Sequence, residues 1–540
     1  MNSSPTDPSR RAPRWLSQAG WRVMAPLLAL LLSPLLLFPL GPDQSAFYIG
    51  GGKILRGAVY YRDIIDVKPP LIHHLYALAM AIFGEHGYAI LLCDALAQGA
   101  TCWLMVVVTR RLSGSLLWGY LSAVIYILLY VGLNFQNVAQ PESYVGLIGL
   151  AITWLLLEKR TRAGFIAVGA LAGILFLLKF TLGIILAAAL LGEILLFRAG
   201  PRALATRCLE FGAGFLPVAG LLLFYILANG VGPEFAMMRS FTGGYARLQL
   251  GSPGTALKNM LKLLPRAFSE LYSILLFGAT TAGMAGAIPR PPEKQAGATD
   301  GTALLLRFAT ITFVLLLGTV CLEGRYYPYQ FSRIYPFGAL LAGHGLIAIT
   351  RRLQARPPRG LYRPLLIGTL LAGAVLYGPL IRYGWWSLPM GLRIVGGEEA
   401  YDRYYGRLLD GLSRTELRSV GQEIDRRRAP GDQVFAASNV AGLLYYQIGY
   451  FPKLPVLFSP SIAASFAPEE WRNAAISYLM RERPRFIITQ RGDDREEQTG
   501  IPQDSEQTLR SLPGIDSLLN AGYRETMHTE VFHLYERREP

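Results

Sequence analysis

The sequence predicts an α-helical polytopic membrane protein of about 11 transmembrane helices with a C-terminal extracytoplasmic α/β domain. Of its 540 residues, 52% are hydrophobic and only 16% are charged, whereas a soluble globular chain carries about 25% charged residues. Basic residues are concentrated early: residues 1–380 hold 32 basic and 15 acidic side chains, and residues 381–540 hold 20 and 22. This composition excludes a soluble enzyme, a fibrous protein and a disulfide scaffold.

Residues 23–41 form the first predicted span, because 19 uncharged residues can cross a hydrocarbon core of about 30 Å. The run is longer than a signal-peptide core and lacks a small-residue cleavage site, which favours a retained anchor. Residues 1–22 are then a cytoplasmic tail, and residues 23–380 form the transmembrane module. Further spans are predicted at 87–109, 115–133, 143–157, 164–178, 181–197, 208–229, 268–288, 303–322, 333–350 and 362–380.

The segments between these spans alternate in charge, which predicts the orientation of the chain. Basic segments at 110–111, 159–162 and 198–207 belong in the cytoplasm with the N-terminus by the positive-inside rule. The opposite side then carries the loop 42–86 and everything after residue 380. The predicted location is the inner (plasma) membrane, and because the basic excess serves orientation, no nucleic-acid partner is expected.

The last 160 residues lose the long apolar runs and predict a small α/β domain, here called the C-terminal domain (381–540). Strand-like runs at 433–437 and 485–489 alternate with turn signals. Helix-like segments are predicted at 398–428, 468–482 and 505–519.

The loop 42–86 contains the most informative candidates for chemistry. Asp43 directly follows the first span, where a carboxylate at the membrane boundary can act as an acid or base on a membrane-borne substrate. The alternative is an interfacial aspartate that caps the next helix, which Ser45 also suits. Asp66 and Lys68 precede two prolines, and the pattern alone favours a surface ion pair ahead of a helix start.

Other candidates lie in later loops. Glu142 ends a polar segment between two spans, residues 134–142, called here the polar island. There it is either functional or a first-turn helix acid. Lys179 interrupts a long apolar stretch and either reaches the interface or pairs with an anion. Arg325 and Tyr327 belong to residues 323–333, which form either an aromatic belt or a phosphate and sugar site. The charge count places all of these side chains on the extracytoplasmic side.

The stretch from Asp43 to residues 57–70 (GAVYYRDIIDVKPP) resembles the bacterial polyprenyl-phosphate-dependent glycosyltransferases of the GT-C fold. That group, glycosyltransferase family 39 and its relatives, includes protein O-mannosyltransferases and the lipid A aminoarabinose transferase. The resemblance extends to the Leu178-Lys179 position, to residues 324–328 and to the C-terminal domain. It implies a GT-C membrane fold and transfer of a sugar from a polyprenyl-phosphate carrier.

The resemblance also implies roles for these residues. Asp43 is expected to be the general base, and Lys68 and Arg325 to contact the donor phosphate. Glu142 matches a loop acid that shapes the acceptor or sugar site, and Asp66 is expected to orient Lys68 or to help hold a divalent cation. Lys179 and Tyr327 are expected to bind substrate.

Two departures from the family pattern narrow these expectations. Gln44 replaces the acidic residue that follows the first aspartate in protein O-mannosyltransferases, which argues against a protein acceptor. Tyr329 and Gln330 stand where many relatives have a histidine, so no cofactor is certain and a divalent cation stays open.

The predicted function is therefore a membrane glycosyltransferase acting, with inversion, on a lipid or glycan acceptor of the cell envelope: lipid A, a lipid-linked glycan or a polysaccharide. A transporter or flippase of lipid-linked sugars is the alternative, although no internal repeat typical of transporters is visible. A catalytically silent scaffold is a third hypothesis.

Overall fold

The computed structural model describes residues 18–251, 253–288, 301–355, 376–405, 413–455 and 460–539. The predicted cytoplasmic tail up to residue 17 and most of the predicted span 362–380 lie outside the described residues. The described residues up to residue 405 are mostly helical. The helices are α1 Gln18–Leu32, α2 Pro42–Leu55, α3 Leu71–Phe83, α4 Gly87–Ser113, α5 Leu116–Val131, α6 Val145–Leu157, α7 Arg162–Leu178, α8 Ile185–Leu195, α9 Pro201–Asn229, α10 Gly232–Leu250, α11 Pro253–Leu271, α12 Ile274–Ala285, α13 Gly301–Glu323, α14 Pro328–Phe331, α15 Tyr335–Ala355 and α16 Ile381–Tyr405.

Within the described ranges, three helices are long and apolar enough to cross a membrane: α4, α9 and α13. A bent pair of helices, Arg22–Leu37 and Pro42–Leu55, adds a fourth candidate. Several other apolar helices have only 10–17 residues. Apolar helices thus occupy the positions of most predicted spans, and the number of spans stays a prediction.

The first predicted span does not continue to residue 41 as a straight helix. After α1, a 3₁₀ helix runs from Ser33 to Leu37, and the chain then turns by 78° into α2. Pro42 is the first residue of α2, where its fixed φ and missing N–H are tolerated. The turn places Asp43 in the first turn of a separate helix.

Glycines allow α7 and α9 to approach very closely. A Cβ atom on Gly169 of α7 would lie 2.0 Å from the carbonyl oxygen of Phe211, and one on Gly214 of α9 would lie 1.8 Å from that of Ile166. Small residues at such crossings let helix backbones meet, as they do in membrane helix pairs. The close crossing holds the end of α7, and with it Lys179, in a fixed place.

The C-terminal domain is a small sheet covered by helices. Its helices are α17 Arg414–Arg427, α18 Ala441–Gln447, α19 Pro460–Ala463, α20 Glu469–Glu482, α21 Glu496–Thr499, α22 Ser505–Ser511 and α23 Ile515–Gly522. Its strands are β1 Val434–Ala437, β2 Phe486–Gln490, β3 Tyr523–His528 and β4 Phe532–Arg537. The sheet order is β1-β2-β4-β3, with β1 and β2 parallel and the other pairs antiparallel.

The strands β1 and β2 agree within one residue with the predicted runs 433–437 and 485–489. The predicted helix 505–519 is instead two helices, α22 and α23, because Pro513 and Gly514 interrupt it. Helix α16 begins at the predicted domain boundary and exposes Leu388 and Val395 before its kink at Gly397. This apolar surface continues the character of the membrane part beyond residue 380.

The C-terminal domain packs directly on α2. A Cβ atom on Gly442 of α18 would lie 2.8 Å from the backbone nitrogen of Ala46. The buried Lys53 Nζ donates a hydrogen bond of 3.0 Å to the carbonyl oxygen of Leu454. Helix α2, whose first turn carries Asp43, is therefore held between the membrane helices and the C-terminal domain.

Candidate active site

Asp43 and Lys68 meet at the start of α2. Lys68 Nζ lies 3.2 Å from Asp43 Oδ2 and 4.5 Å from the centre of the Phe47 ring. The Lys68 side chain is 12% exposed, whereas that of Asp43 is 30% exposed. The pair therefore offers a partly accessible carboxylate next to a sheltered ammonium group.

Asp66 contacts the backbone of Lys68 and so helps to hold this pair in place. Its Oδ1 accepts a hydrogen bond from the Lys68 backbone N–H at 3.2 Å, and its Oδ2 lies 3.0 Å from Nε2 of the buried His73. Burial alone would raise the pKa of Asp66, but the Lys68 charge and the His73 hydrogen bond lower it overall. Burial would lower the pKa of Lys68, but Asp43 and Asp66 raise it overall, so the lysine stays protonated. Asp66 was expected either to orient Lys68 or to help hold a divalent cation, and these contacts suit the orientation of Lys68.

A metal site is not assembled by these side chains. Across the part of the chain that the structure describes, no group of three or more His, Cys, Asp or Glu side chains is close enough together to hold a metal ion. Both oxygens of Asp66 already have protein partners. The divalent cation left open by the sequence therefore has no ligand set among these residues.

Gln44, the residue after Asp43, anchors the loop that carries Glu142. Its Nε2 donates hydrogen bonds of 2.7 Å to the carbonyl oxygens of Phe135 and Val138. Gln44 is fully buried. The residue that marks a departure from the family pattern therefore joins the first turn of α2 to the polar island.

Glu142, Lys179, Glu323 and Arg333 form a set of four charges, called here the buried quartet. Lys179 Nζ lies 2.6 Å from Glu142 Oε1 and 2.7 Å from Glu323 Oε2. Arg333 bridges the same two carboxylates, at 2.7 Å from Glu142 Oε1 and 2.7 Å from Glu323 Oε1. Lys179 thus pairs with anions, the second of its two expected roles, and the four formal charges cancel.

Two polar atoms of the buried quartet, Glu142 Oε2 and Arg333 Nε, have no hydrogen-bond partner in the described residues. Glu142 Oε2 is buried and accepts no hydrogen bond from any side chain or backbone group of the described residues. Its Oε1, in contrast, accepts two charged hydrogen bonds. A buried carboxylate oxygen left in this state is a candidate acceptor for a substrate hydroxyl.

Arg325 is held on one side and free on the other. Its guanidinium lies 3.7 Å over the ring of Tyr245, and Nη1 lies 3.3 Å from the carbonyl oxygen of Glu497 and 3.5 Å from the Tyr327 hydroxyl. Nε and Nη2 donate to no acceptor in the described residues. These two N–H groups form the side-on fork of arginine, which matches two oxygens of a phosphate.

Strained backbone accompanies each polar segment of the site. Tyr61, Ala139 and Tyr326 have φ values of 73°, 54° and 54°, in a region that residues other than glycine rarely occupy. Such conformations cost on the order of 1–3 kcal/mol each and concentrate at functional sites. Tyr326 directly follows Arg325, Ala139 belongs to the same loop as Glu142, and Tyr61 belongs to the same loop as Lys68.

Tyr329 lies close enough to both Asp43 and Glu142 for their charges to act on its phenol. Burial is the main reason that the pKa of its phenol lies well above the ordinary value, and the negative charges of Asp43 and Glu142 add to the effect. Its ring centre also lies 5.7 Å from Lys179 Nζ and 5.8 Å from the ring centre of Tyr327. The candidate residues from separate loops therefore surround one region.

The structure adds residues that the sequence did not single out as candidates. Glu323 and Arg333 bound the aromatic segment 323–333, and their charge was the only available signal. His73, which contacts Asp66, and Tyr245 of α10, which covers Arg325, lie in sequence that carries no pattern marking them as candidates. Gln44 was noticed only because it differs from the family pattern.

Residues 67–227 match the protein family described as dolichyl-phosphate-mannose-protein mannosyltransferase. No curated protein matches the sequence. The matched segment contains Lys68, Glu142 and Lys179, and it ends within α9.

The fold is similar to that of two solved membrane enzymes. ArnT from Cupriavidus metallidurans, in a crystal structure bound to undecaprenyl phosphate, matches with a TM-score of 0.56 at 13% identity, over 96% of this chain and 98% of that chain. The archaeal oligosaccharyltransferase AglB from Archaeoglobus fulgidus, in complex with an inhibitory peptide and a dolichol-phosphate, matches with a TM-score of 0.53 at 11% identity, over 97% of this chain and 75% of that chain. At these identities the similarity establishes a shared fold.

Proposed function

We propose that this chain, which has the GT-C fold of polyprenyl-phosphate-dependent glycosyltransferases, is a membrane glycosyltransferase. It moves a sugar from a polyprenyl-phosphate carrier to a lipid or glycan acceptor of the cell envelope. The observation that carries the proposal is the Asp43–Lys68 pair, 3.2 Å apart at the bend that ends the first span. A base and a phosphate-binding cation are the two groups that direct transfer from a lipid phosphate needs.

The donor phosphate lies between Lys68 and Arg325. Lys68 is protonated because two carboxylates outweigh its burial, and the free fork of Arg325 presents two parallel N–H groups. Negative charge builds on the phosphate as the bond to the sugar breaks, and two fixed cations stabilise it. Asp66 and His73 keep Lys68 in position through the contacts of Asp66.

Asp43 is the general base in this mechanism. It takes the proton of the acceptor hydroxyl, whose oxygen forms a bond to the anomeric carbon. The bond from that carbon to the phosphate oxygen breaks, and its electron pair leaves with polyprenyl phosphate. The attack comes from the face opposite the phosphate, so the configuration at the anomeric carbon inverts.

Glu142, Lys179 and Tyr327 bind the sugar and the acceptor. Glu142 Oε2 is the free acceptor for a hydroxyl, and Lys179 Nζ fixes the other carboxylate oxygen of Glu142 by direct contact at 2.6 Å. Gln44 Nε2 anchors the polar island through two hydrogen bonds. Because glutamine stands where protein O-mannosyltransferases have an acidic residue, lipid A, a lipid-linked glycan or a polysaccharide is favoured as the acceptor rather than a protein. The charge distribution supports an extracytoplasmic site in the inner membrane.

The test is the release of polyprenyl phosphate from a panel of polyprenyl-phosphate sugars by the purified protein in lipid. Wild type is compared with Asp43→Asn and with the control Asp516→Asn, which changes an exposed carboxylate of α23. We expect Asp43→Asn to lose activity by a factor of about 10²–10⁴, because the loss of a general base costs that much. Asp516→Asn should keep wild-type turnover.

Two results would contradict this function. Equal turnover in wild type and Asp43→Asn would remove Asp43 as the base. Movement of the intact lipid-linked sugar across the bilayer without release of polyprenyl phosphate would favour a flippase instead.

A further inference from the structure

A short helix of the C-terminal domain reaches the Arg325 site. The carbonyl oxygen of Glu497, in α21, accepts the hydrogen bond from Arg325 Nη1 at 3.3 Å. The next residue, Gln498, donates from Nε2 to the Tyr327 hydroxyl at 3.0 Å. Two adjacent residues of the C-terminal domain thus contact Arg325 and Tyr327, two positions apart in the segment after α13.

These contacts hold the guanidinium of Arg325 at Nη1 and over one face of its plane. Tyr245 covers one face of its plane at 3.7 Å, and Glu497 and Tyr327 both contact Nη1. The fork of Nε and Nη2 then remains free of acceptors in the described residues. A guanidinium fixed at Nη1 and over one face has few orientations left, so its fork has a defined direction.

Helix α21 is held in place by contacts with the rest of the protein. Thr499 accepts a backbone hydrogen bond of 2.8 Å from Ser465. Phe466, beside Ser465, packs against Phe241 of α10 with ring centres 5.2 Å apart. Helix α10 also carries Tyr245, which covers Arg325. Helices α10 and α21 therefore pack on each other and contact Arg325 from two sides.

We propose that Gln498, through Tyr327 and together with the Glu497 carbonyl group, positions Arg325 for the phosphate of the lipid carrier. The donor site is then shared between the membrane helices and the C-terminal domain. Gln498 is a positioning residue, because it touches Tyr327 and not the phosphate. This inference rests on the proposed function, in which Arg325 binds that phosphate.

The test is a donor titration of wild type, Gln498→Leu and Tyr327→Phe in lipid. Gln498→Leu keeps the size of the side chain and removes its N–H donors, so KM for the polyprenyl-phosphate sugar should rise about three- to tenfold with kcat within about twofold, as expected for one net hydrogen bond. The double variant should be no worse than the worse single variant, since both changes break the same contact. Gln503→Leu, at an exposed glutamine of the same segment, should behave as wild type.

Binding of undecaprenyl phosphate alone gives a readout that does not depend on turnover. We expect Gln498→Leu to weaken this binding by the same factor as KM while the thermal midpoint of the protein stays unchanged. Wild-type KM and binding in Gln498→Leu would overturn the inference. So would a loss of kcat accompanied by a lower thermal midpoint, which would indicate a purely structural contact.

The same measurement separates this inference from the proposed function. If wild type binds undecaprenyl phosphate and Gln498→Leu binds it equally well, only the role of Gln498 fails. If wild type neither binds undecaprenyl phosphate nor releases it from any donor, the proposed function fails as well.

Discussion

At the scale of single residues, the buried quartet shows how this site accommodates charge. Each carboxylate of the quartet faces two cations, and Arg333 has no exposed surface at all. A buried charge is tolerated only with such partners, and the removal of one partner leaves another charge uncompensated. The quartet therefore fixes the geometry around Glu142 but makes each of its members hard to replace.

Arg333→Met should lower the free energy of unfolding by about 3–5 kcal/mol, because Glu142 and Glu323 would each lose a buried partner. Thermal or denaturant unfolding in detergent checks this. Arg426→Met is the control, since Arg426 is an exposed arginine paired with Glu423 on the surface. Equal, small effects of the two substitutions would show that the quartet contributes little to stability.

The sequence could predict residues that follow a span or interrupt an apolar run, as Asp43, Glu142 and Lys179 do. It could not predict Glu323 and Arg333, which are ten positions apart in the chain. Their importance comes from meeting Glu142 and Lys179 of other segments, and that meeting depends on helix packing. The side-on fork of Arg325 could not be foreseen either, because it is defined by which of its N–H groups the protein leaves unused.

At the scale of elements, periodicity and turn residues predicted most helices and two of the three buried strands, β1 and β2. The hairpin of β3 and β4 was missed because the β3 sequence, YRETMH, is polar and mostly exposed. The bend after the first span was also missed, since an unbroken apolar run gives no sign of where it turns. Its signal was Pro42, which begins a helix in the structure.

The close crossing of α7 and α9 predicts opposite effects for two glycines of α9. Gly214→Ala should destabilise the protein by about 1–3 kcal/mol, because the new methyl group would lie 1.8 Å from a backbone oxygen. Gly220→Ala should be neutral or stabilising by up to about 1 kcal/mol, because that position faces open space. Unfolding curves of both variants provide the measurement, and similar destabilisation in both would argue against the crossing.

Glu506 of α22 gives the C-terminal domain a pH-dependent contribution to stability. Burial would raise the pKa of Glu506, but hydrogen bonds from Arg491 and Arg510 lower it to about 2. A carboxyl group with a lowered pKa in the folded state stabilises the fold above its unfolded pKa of about 4.3 and loses this effect as the pH falls towards 2.

The thermal midpoint of Glu506→Gln should therefore lie below that of wild type at neutral pH, and the difference should shrink between about pH 4.3 and pH 2. Tryptophan fluorescence during heating follows both proteins. Glu530→Gln, at an exposed turn, is the control and should follow the wild-type profile. A constant difference at all pH values would contradict the charge pairing of Glu506.

At the scale of the whole molecule, the contact between α18 and α2 couples the C-terminal domain to Asp43. A side chain larger than glycine at position 442 would push against the backbone of Ala46, three residues from Asp43. Gly442→Val should lower turnover by up to about 10²-fold, because displacement of a catalytic group by about 1 Å can cost that much. Gly522→Ala, whose new Cβ would meet only an ordinary contact, should keep wild-type activity. Full activity in Gly442→Val would show that the C-terminal domain does not set the position of α2.

The 78° bend between the first span and α2 also ties the active site to the bilayer itself. The helical residues 22–37 rise about 26 Å, at about 1.5 Å per residue in α1 and about 2.0 Å in the 3₁₀ helix. On the proposed topology this rise sets how deep Asp43 lies below the outer surface. A helix that turns aside cannot lengthen to follow a thicker membrane, so the protein must tilt or the lipids must deform, at a cost of a fraction of a kcal/mol per Å. Hydrophobic mismatch should therefore tune catalysis: the same enzyme, reconstituted in lipids of different acyl length, should work best where the headgroup layer of the carrier meets Asp43 without deformation.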